Sequence, residues 1–373
     1  MSEESLYTAA LVGCGRIGYS LGLDPKREQP ASHTMAMNAN PRINLVAGCD
    51  TDAQTLCSWH NANPSAAIYR DSLQMYSNVH PDIVVVAVNE SSHEKEAIDA
   101  IVSRPKLVIL EKPVALNVRE AIKIRDMAAR NSVPVMVNHE RRFSADYVLA
   151  RSLVRKIGEL QSVQGVLSSG MSVYNPHEEE TGAYSLLHDG THLVDTINFL
   201  MHDLLGEGNR SESGESVSGL MKKAMEISGE KDDSVRPMLE NPVITGLYKD
   251  EKDCVRQLSA HYSLDCCPSV TLSFSGRSRY FGFEIDIRGT EGRLMIGNGF
   301  FKFYRRRESN LYSGFYSLSR EKIDRPQRTG YFSNMIQNAV DFLDGKSALV
   351  STLQDGIEAL AVLEEIKKEI QNP

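Results

Sequence analysis

Along the first third of the chain, short apolar runs alternate with segments whose apolar positions recur every three or four residues. The runs "YTAALVG", "INLVAGCD", "DIVVVAV", "KLVIL" and "VPVMV" are nearly continuous, as expected of strands covered on both faces. Between them, "SHEKEAIDAIV" and "NVREAIKIRDMAARN" carry helical periodicity, with Ser91 or Ser92 and Asn117 placed as N-caps. Strands alternating with helices predict an α/β domain, a doubly wound parallel sheet, over residues 1–138.

The period then changes. "PSVTLSFSG", "RYFGFEIDIRG" and "GRLMIGNGFFKFY" alternate apolar and polar residues and are punctuated by glycines, which predicts antiparallel strands in a second domain over 139–373. Two helices close it, around "YFSNMIQNAVDFLDG" and "LQDGIEALAVLEEIKKEIQ". Residues 207–240, rich in Ser, Glu and Gly, read as a surface insertion in this domain.

Composition narrows the function classes. With 373 residues, 41% of them hydrophobic, the chain can bury the cores of two domains. A net charge of -8 with scattered basic residues leaves no footprint for nucleic acid or an anionic membrane. No apolar run is long enough to span a bilayer, and the acidic start "MSEESLYTAALVGCG" has the wrong order for a secretory signal. Six cysteines without a CxxC pair read as reduced thiols, so a cytoplasmic protein is expected.

Chemistry enters with "ALVGCGRIG", a GxGxxG directly after an apolar strand. Gly13 suits the tight turn, Gly15 the close approach of a pyrophosphate, and Gly18 the packing of helix on strand; Arg16 and Ile17 complete the turn. The second strand ends at Asp50, whose carboxylate can accept both hydroxyls of an adenosine ribose. No Arg or Lys follows in "CDTDAQTLCSW", which favours NAD over NADP. Between Gly18 and "HTMAMNANP" lies "YSLGLDPKREQPAS", whose two prolines break a simple helix and mark an inserted loop. The fifth strand ends in "ILEKPVAL", placing Glu111 and Lys112 at the carboxyl edge of the sheet, where ligands bind in such folds.

A second concentration of titratable groups is "LLHDGTHLVD", in which His188, Asp189, His192 and Asp195 share one side of a helix by spacing. A surface helix start, a metal site and a proton-transfer site all fit this pattern. The metal reading is the weakest: Asp189 is a methylene shorter than the Glu of an HExxH zinc helix, Gly190 weakens the helix, and no third ligand follows nearby.

Taken together, "GCGRIG", the histidine of "SHTMAMNANPRINLVAGCD", "EKP", "RRF", "GTHLVD" and "IRGTEGRLMI" resemble the Gfo/Idh/MocA family, named after glucose-fructose oxidoreductase and inositol dehydrogenase. The resemblance implies a nicotinamide-binding Rossmann domain followed by an α+β domain with a large open, mainly antiparallel sheet, through which chains pair as dimers or tetramers. It implies hydride transfer between the nicotinamide and a hydroxyl carbon of a sugar, cyclitol or sugar derivative. The family's EKP lysine falls on Lys112 and the histidine of its GxH segment on His192. Its usual Asp four residues earlier is replaced by His188, which leaves Asp189 or Asp195 to orient His192. Asn89 stands where the family has Pro, and Asn89 and His93 are expected beside the nicotinamide ribose. His139, Arg142, His188 and Asp189 are the further candidates for substrate contact.

Oxidising an alcohol also releases the hydroxyl proton, so a base must stand beside the cofactor. His starts near a pKa of about 6.5 and Lys near about 10.4, and lowering Lys by roughly three units costs about 4 kcal/mol. His192 is therefore expected to transfer the proton, with Lys112 polarising the reacting oxygen. Two other classes remain open: an NAD-assisted hydrolase or lyase working by transient oxidation, and a non-catalytic NAD-dependent sensor.

Overall fold

A computed structural model describes residues 6–204, 235 and 237–371, so most of the expected 207–240 insertion lies outside the described residues. The described residues divide into two compact units: one of residues 6–144 and 328–357, the other of 145–204, 237–327 and 358–371.

The first unit holds six parallel strands: β1 (Tyr7–Val12), β2 (Ile43–Cys49), β3 (Ala67–Tyr69), β4 (Ile83–Val86), β5 (Leu107–Leu110) and β6 (Val135–Val137). Their order is β3-β2-β1-β4-β5-β6, the doubly wound arrangement whose winding reverses between β1 and β4. β4 and β5 are buried at every position, which explains their unbroken apolar sequences. Five of the strands were legible as apolar runs. β3, only three residues and mostly exposed, was not.

Helices α1 (His33–Ala39), α2 (Ala53–Ala62), α3 (Ser72–Val79), α4 (His93–Val102), α5 (Val118–Asn131) and the single turn α6 (Glu140–Phe143) complete the alternation. Asp52, Asp71 and Asn117 each accept the third helical N–H of the helix they precede, at 2.7, 2.7 and 3.0 Å. Ser92 precedes α4 without such a bond.

The second unit begins with α7 (Ala145–Val154) and contains α8 (Ser185–His188) and α9 (Gly190–Met201). Its eight-stranded sheet comprises β7 (Leu160–Ser168), β8 (Val243–Lys249), β9 (Val255–Leu264), β10 (Cys267–Ser275), β11 (Gly282–Gly289), β12 (Gly292–Gly297), β13 (Phe300–Glu308) and β14 (Tyr316–Glu321). Only β7 and β10 pair in parallel. Alternating burial in β9 to β12 gives the sheet one covered and one more open face. α9 reaches the covered face at Gly165 of β7, where an added Cβ would stand 2.8 and 2.9 Å from the side chains of Ile197 and Leu193.

Two helices close the chain, α10 (Tyr331–Leu343) and α11 (Leu353–Gln371). The sequence pattern assigned both to the second half. Instead α10 packs within the first unit, where Phe332, Met335, Ile336, Ala339, Val340 and Phe342 join the core formed by β1, β2, β4 and β5. The division between units runs through α11, between Ile357 and Glu358.

Candidate active site

In the first unit the glycine turn follows β1 at the switch point. Gly13 has φ +93°, and a Cβ on it would lie 2.3 Å from the Ala87 carbonyl oxygen. A Cβ on Gly18 would lie 2.0 Å from the Gly13 carbonyl oxygen. Gly15 differs: nothing stands within 4 Å of the position its Cβ would take. Two glycines are thus demanded by the fold, and the third leaves room against the backbone for a ligand. Arg16 beside it is exposed and Ile17 half-buried.

The helix that starts at this turn is interrupted. The N–H groups of Tyr19 and Leu21 bond back to the carbonyls of Gly15 and Arg16, and the chain then leaves through the loop of 20–32. It re-enters at α1, where the N–H groups of His33 and Thr34 donate to the carbonyls of Ile17 and Gly18 at 3.2 and 3.0 Å. The inserted loop read from the two prolines is thus spliced into the first helix. Glu28 of the loop accepts the N–H groups of Thr329 and Gly330 at 3.0 and 2.7 Å, ahead of α10.

Asp50 closes the turn from the β2 side: its Oδ2 accepts the Cys14 N–H and its Oδ1 the Asp52 N–H, both at 2.9 Å. A carboxylate oxygen has two acceptor sites, so capacity for ribose hydroxyls remains. Arg70, at the end of β3, donates to the Thr51 carbonyl at 2.7 Å, a cation beside this turn that lies too far along the sequence to be found by inspecting the residues after Asp50.

Lys112 lies half-buried after β5, joined to Pro113 by a cis peptide bond. Beside it Glu111 is buried. Its Oε1 stands 2.7 Å from His33 Nε2 and 2.6 Å from Asn138 Nδ2, and its Oε2 stands 3.3 Å from the Lys112 N–H. Burial alone would push this carboxyl up, but the bond and charge of His33, the Asn138 bond and the Lys112 charge outweigh it, holding Glu111 below the usual carboxylate range. Spacing gave no sign of His33 and Asn138 as partners, because they join Glu111 only across the sheet.

Asn89 is exposed, as a ligand contact requires. His93 is buried with both ring nitrogens against the carbonyls of Pro113 and Val88, and burial pushes its imidazole below the ordinary value. It braces the loops that carry Asn89 and Lys112, and any influence on a ligand passes through them. His139 and Arg142, set against substrate in the sequence reading, turn inward. His139 has no exposed surface, and Arg142 forms a buried ion pair with Asp355 at 3.0 Å while donating to the Val350 carbonyl.

In the second unit, the run 188–195 is not one helix. It breaks at Asp189, the junction of α8 and α9, next to Gly190, whose Cβ would press on Phe274 and Leu363 at 3.2 and 3.3 Å. His188, Asp189 and His192 remain half-exposed, whereas Asp195 is 1% exposed. The single helix expected for all four is therefore corrected: His188 ends α8, Asp189 is the junction, and His192 and Asp195 lie in α9. No group of three or more metal-ligating side chains exists among the described residues. No helix among them is long and apolar enough to cross a membrane. Tyr174 and Tyr184 pack edge to face at 5.3 Å and are buried. All six cysteines are free thiols.

The doubly wound sheet, the glycine turn at its switch point and the anchored Asp50 define a dinucleotide-binding α/β fold. Residues 7–139 match the profile of the Gfo/Idh/MocA oxidoreductase family, described as having an NAD-binding Rossmann fold. A 1-carboxy-3-chloro-3,4-dihydroxycyclohexa-1,5-diene dehydrogenase of Comamonas testosteroni is 26% identical over 168 residues, 43% of this chain and 41% of that protein. A myo-inositol dehydrogenase of Streptomyces leeuwenhoekii is 25% identical over 158 residues, 41% of this chain and 43% of its own. The matched region thus spans less than half of either relative. Nearly the whole chain shares its fold with an oxidoreductase from Agrobacterium radiobacter solved with NAD+, L-tartaric acid and magnesium. The TM-score is 0.70 at 14% identity, covering 99% of this chain and 97% of that one.

Proposed function

We propose that this protein is an NAD-dependent dehydrogenase of a hydroxyl carbon in a sugar, cyclitol or sugar derivative. The observation that carries the proposal is the open backbone at Gly15 between the anchored Asp50 and the β5 end that bears Lys112. Gly13, Gly15, Arg16, Ile17 and Gly18 cradle the pyrophosphate, Asp50 accepts the ribose hydroxyls, and Asn89 borders the nicotinamide ribose. When bound, the nicotinamide supplies the acceptor for the substrate's hydride. The chain's own groups manage the oxygen: Lys112 donates a charged hydrogen bond to it, and His192 takes its proton. His188 and Asp189, half-exposed like His192, contact the substrate's remaining hydroxyls. Support for a cyclic polyol substrate comes from the two dehydrogenases above, both named for hydroxylated six-membered rings. The carboxylate at Asp50 favours NAD, although Arg70 beside its turn makes NADP the necessary comparison. Pairing of two or four chains through the open face of the second sheet belongs to the same reading.

The test is a panel of cyclitols and sugars with NAD and NADP in parallel, followed by nicotinamide absorbance. Turnover with NAD on at least one cyclic polyol, lost by about a hundredfold or more in His192→Ala and in Lys112→Ala while NAD still binds, is the expected result. Product formation without a change in absorbance would transfer the protein to the hydrolase or lyase class, and wild-type turnover in either variant would remove that residue's role.

A further inference from the structure

The interrupted helix places an unexplained histidine at the edge of the candidate site. The peptide N–H of His33 is bonded to Ile17 of the glycine turn, while its ring reaches Glu111 at the end of β5. The same carboxylate takes the amide of Asn138, which follows β6. Starts and ends of three elements, α1, β5 and β6, thus meet on one buried anion adjacent in sequence to Lys112. The ring of His33 is in turn fixed edge-on by Phe332 of α10, with centroids 5.1 Å apart and planes at 84°.

Stability alone does not explain this arrangement. Buried ion pairs generally contribute no more than apolar residues of the same volume, whereas groups bonded on several sides hold one direction. Glu111 Oε1 receives two short hydrogen bonds and Oε2 faces the Lys112 N–H, so the plane of the carboxylate and the peptide leading to Lys112 are fixed together.

We infer that His33, Glu111 and Asn138 are positioning residues that aim Lys112 at the reacting oxygen beside the bound nucleotide. The inference rests on the role given above to Lys112. The loop of 20–32 then has a consequence for the site: it returns the chain so that the resumed helix opens on His33, coupling the phosphate turn to the β5 edge.

The experiment uses the full chain and compares His33→Leu, His33→Gln, Glu111→Gln and Asn138→Ala with the wild type. Acetylation of Lys112 by acetic anhydride is followed by peptide mass spectrometry with and without saturating NAD, a readout independent of turnover. In the wild type, NAD should slow acetylation about tenfold or more, and His33→Leu and Glu111→Gln should reduce that protection below about threefold. Their kcat should fall about ten- to a hundredfold with the KM for NAD changed less than about threefold. His33→Gln, which keeps a donor near the same place, should restore most of the protection and of kcat. Protection and kcat unchanged in folded His33→Leu would overturn positioning while leaving the role of Lys112 standing, and so would equal losses in His33→Leu and His33→Gln. Absence of NAD protection in the wild type would sink both. Should His33→Leu fail to fold, Asn138→Ala, which removes the other donor, is judged by the same outcomes.

Discussion

Gly13 and Gly15 sit two positions apart in one motif, yet they answer to different forces. At Gly13 a side chain meets both a left-handed backbone and the Ala87 carbonyl; at Gly15 it meets empty space. Gly13→Ala should therefore destabilise the fold, by about 2 kcal/mol or more in chemical denaturation. Gly15→Ala should melt like the wild type yet bind NAD about tenfold more weakly by calorimetry, because its methyl occupies the space the phosphates need. The same contrast marks the limit of motif reading: "GCGRIG" names all three glycines, and only their surroundings tell which the fold demands and which it leaves open. His139 and Arg142 show the same limit from the other side. In "NHERRF" substrate contact, capping and salt bridging fit each of them equally, and for Arg142 the salt bridge prevails because a distant carboxylate pairs with it.

Among elements, that carboxylate is Asp355, at the start of α11. Its Oδ2 accepts both the Thr352 N–H and hydroxyl, and the Asp355 N–H bonds back to Thr352, a reciprocal cap that also orients the Arg142 pair. Burial would push Asp355 up, but the Arg142 charge and the Thr352 bonds outweigh it and leave it lowered. Asp355→Ala should cost about 3–5 kcal/mol in urea unfolding by stranding the guanidinium, and Arg142→Met combined with Asp355→Leu should recover much of it. The sign with pH follows from the lowered value. The contribution is fully present above the unfolded Asp value of about 3.9 and is lost as pH falls through the lower folded value, so the double variant should show a shallower acid loss of stability. Helix periods and caps such as Asn117 were legible because they are local. β3 was not, since three mostly exposed residues form a strand only beside β2. The break at Asp189 was half-legible: Gly190 weakens a helix, but the reason for glycine there is the crowding by Phe274 and Leu363.

For the molecule as a whole, the boundary between units is not a cut in the sequence. α10 lies almost two hundred residues beyond the first unit's last strand and yet supplies six side chains to its core, from Phe332 to Phe342. A fragment of residues 6–144 should accordingly fail to fold cooperatively, binding a hydrophobic dye and lacking a sharp thermal transition by circular dichroism. The full chain should show both the transition and no dye binding. A fragment with a sharp melt would mean that the α10 contacts are dispensable.

The sequence by itself determined the doubly wound sheet, the change to an alternating second sheet, the glycine turn after β1 and the inserted loop after it, because each follows from local periodicity or from a short motif. Only the tertiary structure decided that His33 and Asn138 converge on Glu111, that Arg142 turns inward to Asp355, and that α10 completes the first core. Those outcomes depend on which distant groups can satisfy a buried charge or fill a buried volume, and linear spacing carries no record of such distances.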